Sequence, residues 1–192
     1  FDNRLRLNLT YFRNDFEDKQ ESIVALDAST GTVASKFDNA GSVVYEGFEV
    51  ETQFVVNEYL RVFANYGYLD AEYDEFDTDI NPNDNEDIIQ DATFLKPRNA
   101  PENTVGVGGT LSIPMGNGAF EVFAKYTWID EIEASLLNLS QARVDSREDL
   151  TATVGYYTDT WSISAFGRNM TNERYEVFQP IANLFAAGIV NR

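Results

Sequence analysis

Leu5-Arg6-Leu7-Asn8-Leu9-Thr10-Tyr11 alternates an apolar with a polar side chain at every step. Val105-Gly106-Val107-Gly108-Gly109-Thr110-Leu111-Ser112-Ile113 repeats the rhythm. Side chains leave a strand on alternate faces, so period two describes a sheet with one oily and one wet face. The pattern predicts seven strands. They run from about Arg4 to Lys19, Val43 to Val56, Leu60 to Tyr68, Asn103 to Ile113, Phe120 to Trp128, Leu150 to Tyr156 and Trp161 to Arg168.

The links between these strands alternate long and short. The short ones are Asn57-Glu58, Pro114 to Gly118 and Thr158-Asp159-Thr160. The long ones are the polar segment Ala28 to Gly41 with its turn signal Ser29-Thr30-Gly31, the Asp- and Asn-rich stretch Asp70 to Glu102, and Glu131 to Asp145. Short turns on one side and long loops on the other are the habit of an outer-membrane β-barrel. A soluble β-sandwich also alternates, and the pattern alone leaves it open. Two details favour the membrane. Tyr11, Tyr66, Tyr68, Tyr126, Trp128, Tyr156 and Trp161 stand near the ends of oily faces, where barrels carry aromatic girdles. The opposite face mixes Gly, Ser and Thr with Glu, Lys and Arg, which suits a hydrated lumen.

Composition removes several classes of function. The 192 residues hold 32 acidic and 14 basic side chains, a net charge of -18. Such a surface repels phosphate backbones, which argues against nucleic-acid binding. There is no cysteine and no histidine, hence no disulfide framework, no thiolate or imidazole metal site and no His-based catalytic triad. The mean hydropathy of -0.33 resembles that of a soluble protein. In a barrel that average misleads, because half of each strand faces water. The chain opens Phe1-Asp2-Asn3-Arg4, almost directly on a strand, and reads as a fragment of something longer.

Four segments carry a family resemblance: Asn39 to Ser42 followed by Glu46-Gly47-Phe48-Glu49-Val50-Glu51; Phe63 to Tyr73; Pro97-Arg98-Asn99-Ala100-Pro101; and Gly167-Arg168-Asn169-Met170-Thr171-Asn172-Glu173-Arg174-Tyr175. In order and spacing the chain resembles the C-terminal part of TonB-dependent outer-membrane receptors. The resemblance implies an all-β fold, about seven antiparallel meander strands of a barrel with about 22. It makes residues 1–192 a partial barrel domain truncated at both ends, lacking the plug and the TonB-contacting segment. The expected parent is a transporter in the outer membrane of a Gram-negative bacterium, not an enzyme. It imports a scarce small-molecule nutrient, above all an iron chelate of the siderophore type, and has no cofactor. Its implied partners are the plug, the remaining strands, the TonB energising complex, and outer-membrane lipid and lipopolysaccharide. A small passive or structural outer-membrane barrel and a soluble β-sandwich binding module are the alternatives.

Candidate site residues follow from chemistry. Phe94, Phe178 and Phe185 fall in or near expected outer loops, where exposed rings can grip a siderophore, a haem-like ring or a sugar, or else pack the loops together. Arg168, with Arg61 and Lys125, is expected to face the lumen, contacting an anionic ligand or the plug, or else pairing with Glu49, Glu51 and Glu121 in the wall. Asp77-Thr78-Asp79-Ile80-Asn81 opens like a calcium loop, making Asp77, Asp79 and Asn81 candidate ligands. Pro82 stands where such a loop requires Gly, and Ile88 where it requires the closing Glu, so the EF-hand reading fails and leaves a looser calcium site or a solvated acidic loop.

Overall fold

The computed structural model describes residues 2–27, 32–39, 41–79 and 88–174. Its strands are β1 Leu5–Phe16, β2 Gln20–Asp27, β3 Thr32–Asn39, β4 Ser42–Val55, β5 Leu60–Glu75, β6 Asp77–Asp79, β7 Ile89–Asp91, β8 Asn103–Met115, β9 Gly118–Ile129, β10 Ile132–Glu133, β11 Arg143–Val144, β12 Arg147–Thr158 and β13 Ser162–Gly167. Seven form one antiparallel sheet in the order β1-β4-β5-β8-β9-β12-β13, the expected meander. The remaining strands form three hairpins, one within each long connection. All long connections therefore leave one end of the sheet and all short turns the other.

The register aligns the oily residues into rows. Leu9 faces Val50, Val50 faces Tyr66, Tyr66 faces Val105 and Val105 faces Trp128. A lower row runs Ile113, Phe120, Tyr156, Ile163. A slip of one residue in any pair would turn a whole strand's apolar set over, so this register is what the pattern specifies. The oily face is uncovered among the described residues. Leu7 is 62% exposed, Leu9 72% and Ile163 68%. An apolar surface this extensive demands an apolar solvent or a covering partner. Phe120 and Trp128 on β9 are eight residues apart. That is about 27 Å of strand, or roughly 21 Å of height at a tilt near 40°, close to the ~25 Å apolar band of a membrane barrel. Aromatic contacts mark both ends: Phe48 meets Tyr66 and Tyr68 at ring separations of 5.8 and 5.6 Å, and Tyr156 meets Trp161 at 5.5 Å.

Local chemistry sets the short turns. The Asn57 side chain accepts from the backbone N–H of Tyr59 and of Leu60, both at 2.9 Å. Thr158 Oγ1 accepts from Trp161 N–H at 3.0 Å. At the third turn the expected Pro114 is still in strand β8, and the reversal is made by Gly116, at φ +62°, with Asn117. On the wet face Phe63 and Phe123 stack at 6.4 Å over Gly108. A Cβ at Gly108 would lie 2.6 Å from the Phe63 ring and 2.5 Å from the Ala124 carbonyl oxygen, and backbone cannot yield cheaply. Gly108→Val is expected to cost about 2 kcal/mol, within the usual range for overpacking. Chemical denaturation of the parent barrel measures it.

Two boundaries depart from expectation. The first strand stops at Phe16, and β2 pairs with β3 from Gln20–Asn39 to Asp27–Thr32, where the sequence suggests a strand end and a polar link. The third strand runs past Tyr68 to Glu75, well into the acidic stretch. In sequence Ser22 to Leu26 and Thr32 to Asn39 do not alternate apolar with polar residues, whereas β5 keeps the alternation past Tyr68 with its parity reversed, Leu69, Ala71 and Tyr73 now falling on the wet-face side.

Candidate ligand site at the long-loop end

Tyr45 and Val43 on β4, and Ala71 and Tyr73 on β5, share the wet-face parity with Glu49 and Asn65. Near the long-loop end this face turns apolar, and the connections after β5 and β9 fold over it. Phe76, Ala92, Leu95 and Leu136 pack there on Val43 and Tyr73, with Tyr45 and Leu137 at the margin. Val43 and Ala92 are fully buried, and the Tyr73 and Phe76 rings lie 4.5 Å apart. This is the main buried apolar cluster among the described residues, and it lies beyond the apolar band.

Charge ties the cluster together. Glu21 is 4% exposed. Its carboxylate takes Lys19 Nζ at 3.0 Å, the Arg98 guanidinium, and a hydrogen bond donated by the Tyr73 hydroxyl at 3.3 Å. Lys19 also donates to Tyr45 Oη at 2.9 Å. Burial pushes the Glu21 carboxyl upward, but the hydrogen bond from Lys19 and the charge of Arg98 outweigh it and hold the group below the usual glutamate range. A second clamp joins the neighbouring loops. Asn138, at φ +49°, accepts from Lys96 N–H at 2.6 Å and donates to Lys96 carbonyl oxygen at 2.9 Å. Asn99 N–H donates to the Glu133 carbonyl at 3.0 Å, and the buried Glu133 carboxylate pairs with Arg143 at 2.6 Å.

Between the β5 end and the segment from Thr93 to Glu102 lies an open cleft of about 450 Å³. Leu69, Tyr73, Phe94, Lys96 and Glu102 are among its lining residues. Phe94 is 70% exposed there. Lys96 and Glu102 approach to 3.9 Å with both side chains largely in solvent, a weak pair. An exposed ring beside a mixed polar and apolar wall can hold a compact organic ligand by stacking and hydrogen bonding.

The other candidates distribute differently. Arg168 follows β13, with its guanidinium 6.0 Å from the Phe166 ring, and does not line the cleft. Phe178, Phe185 and Asn81 lie outside the described residues. Asp77 and Asp79 sit on strand β6 opposite Asp91 and Ile89, and Asp91 is engaged by Thr93. No group of three or more acidic side chains that could hold a metal ion forms among the described residues. Arg61, Lys125 and Arg168 form no ion pair among the described residues. Glu51 instead accepts from Asn8 and Glu121 from Ser112, because short polar side chains on neighbouring strands reach the carboxylates directly.

Sequence reasoning passed over Glu21, Tyr73, Arg98 and Asn138. Tyr73 and Arg98 carried a signal only as members of the resemblance segments Phe63 to Tyr73 and Pro97 to Pro101, and Glu21 and Asn138 carried none. The segment from Gly167 to Glu173 becomes a turn that docks back on β12. Asn169 N–H donates to Asp149, Met170 N–H to the Leu150 carbonyl, and the Asn169 side chain bonds Glu173 N–H and carbonyl. Asn169 and Asn172 both hold positive φ, which Asn tolerates better than most residues.

A family model described as TonB-dependent receptor-like, β-barrel, matches residues 1–170. No curated protein matches the chain in sequence. Among solved structures the chain is similar to the siderophore receptor PiuA from Acinetobacter baumannii, at 19% identity and a TM-score of 0.65, over 91% of this chain and 23% of that one. It is also similar to BauA, the ferric preacinetobactin receptor from Acinetobacter baumannii, at 18% identity and a TM-score of 0.57, over 90% of this chain and 24% of that one. The chain thus spans about a quarter of the length of these receptors.

Proposed function

We propose, for a chain that belongs to the TonB-dependent receptor-like β-barrel family, that it forms one wall of an outer-membrane importer of iron chelates of the siderophore class. One observation carries the reading: an uncovered oily face backs a wet face, and the long connections fold over the wet face around a cleft. The oily face meets outer-membrane lipid, and the acidic long-loop end meets the lipopolysaccharide region. The wet face lines the lumen, against a plug and further strands supplied by the parent. Energy comes from the TonB complex. In this reading Phe94 touches the arriving ligand.

Uptake of radioactive iron, loaded on siderophores, by cells carrying the full parent receptor tests this. We expect uptake to stop when the proton-motive force is collapsed. Phe94→Ala is expected to weaken chelate binding by roughly fivefold, the loss of about 1 kcal/mol of ring contact. Uptake that survives uncoupling points instead to a passive barrel.

A further inference from the structure

The geometry points to Glu21 and Asn138 as positioning residues that clamp one strap, Thr93 to Asn99, from two different loops, so that the strap and the loop segments carrying Glu21 and Asn138 move as a single unit over the cleft. Arg98 on the strap is held by Glu21, which belongs to the hairpin β2–β3. Two residues earlier the Lys96 backbone is held on both its N–H and its carbonyl by Asn138, which belongs to the connection after β9. Between these points stands Pro97, whose ring fixes φ and whose side chain is fully buried. Leu95, the next residue outward, is sunk in the apolar cluster. The two clamps are thus joined by a short, stiff, anchored link, not by flexible chain. Loosening either one frees the same strap, and with it Phe94.

The consequence for ligand capture rests on the reading of the cleft given above. The mechanical coupling does not, and it is measured without ligand, so the two fail separately. The experiment is hydrogen exchange on the full parent receptor in lipid nanodiscs, comparing the natural protein with Glu21→Gln and Asn138→Asp. Asp at 138 keeps the acceptor and tolerates positive φ but places negative charge against the Lys96 carbonyl. The reporter amides are Leu95, Lys96 and Asn99 on the strap, and Asn138 and Leu139 beyond it, all hydrogen-bonded. Glu21→Gln is expected to speed exchange at least about tenfold on the strap and also at Asn138 and Leu139, which Glu21 does not touch. Asn138→Asp is expected to speed exchange at Lys19, two residues before Glu21, where the Lys19 N–H donates to the Gly41 carbonyl. Amides of β8 and β9 stay unchanged as the folding control. Should Glu21→Gln disturb that control, Arg98→Lys, which keeps the charge but loses the guanidinium fork, takes its place. An effect of either substitution that stops at its own loop overturns the proposal. A purely local structural role for Glu21 predicts that result.

Discussion

Ala124→Arg is expected to destabilise the assembled parent barrel by about 2–4 kcal/mol, the cost of a cation on the outer face of a membrane barrel near its midplane. Ala124 is exposed on the oily parity of β9, midway between Phe120 and Trp128, with Gly109 and Ala152 opposite it. Both directly opposite residues are too small to shield a charge. The adjacent residue supplies the contrast, because Lys125 is already a cation and is tolerated on the wet face. Thr127→Arg, on that same wet face opposite Asp149, is therefore expected to change stability by less than about 1 kcal/mol. The shift in urea midpoint at constant slope reads both effects. Equal small costs at the two positions remove the membrane assignment of the oily face.

Glu21→Ala is the second large effect. Removing the carboxylate leaves Lys19 and Arg98 facing each other around a nearly closed site. Breaking a fully buried pair costs about 3–5 kcal/mol. Lys19 and Arg98 keep 22% and 28% of their side-chain surface in water, so the expected cost is smaller, about 2–3 kcal/mol. The loss falls on the long-loop cluster, not on the sheet, and limited proteolysis of the long loops measures it. The same group sets a pH dependence. Its folded pKa lies below its unfolded one, so its stabilising contribution is complete above the ordinary glutamate range and disappears as pH falls through the depressed folded value. Proteolytic opening of the loops should therefore rise in acid in the natural protein and change far less in the Glu21→Ala variant.

The sheet was legible in the sequence for a definite reason. In a single-layer wall between lipid and water, every strand residue must declare a side, so Leu5 to Tyr11 and Val105 to Ile113 write their environment at period two. The turn residues Asn57 and Thr158 were legible too, because their hydrogen bonds are local. The long-loop end was not. Glu21 and Arg98 are far apart in the chain, as are Lys96 and Asn138, and no local pattern announces such pairs. Strands β2 and β3 were hidden because Ser22 to Leu26 and Thr32 to Asn39 do not alternate apolar with polar residues in sequence. Lumen charges misled in the opposite sense. Arg61 and Lys125 suggested a ladder with Glu51 and Glu121, but Asn8 and Ser112 reach those carboxylates instead.

Which solvent each face of β9 meets decides whether the sheet is a membrane wall. The most direct measurement places single spin labels from Ala119 through Trp128 in the parent receptor in bilayers and compares collisions with oxygen and with a water-soluble nickel chelate. A membrane wall requires strict alternation. Labels at Phe120, Val122, Ala124 and Tyr126 should meet oxygen, while those at Glu121, Phe123, Lys125 and Thr127 should be favoured by nickel or shielded from both reagents. Nickel access to both sets, or no period of two, would contradict a membrane wall and leave a soluble sheet in its place.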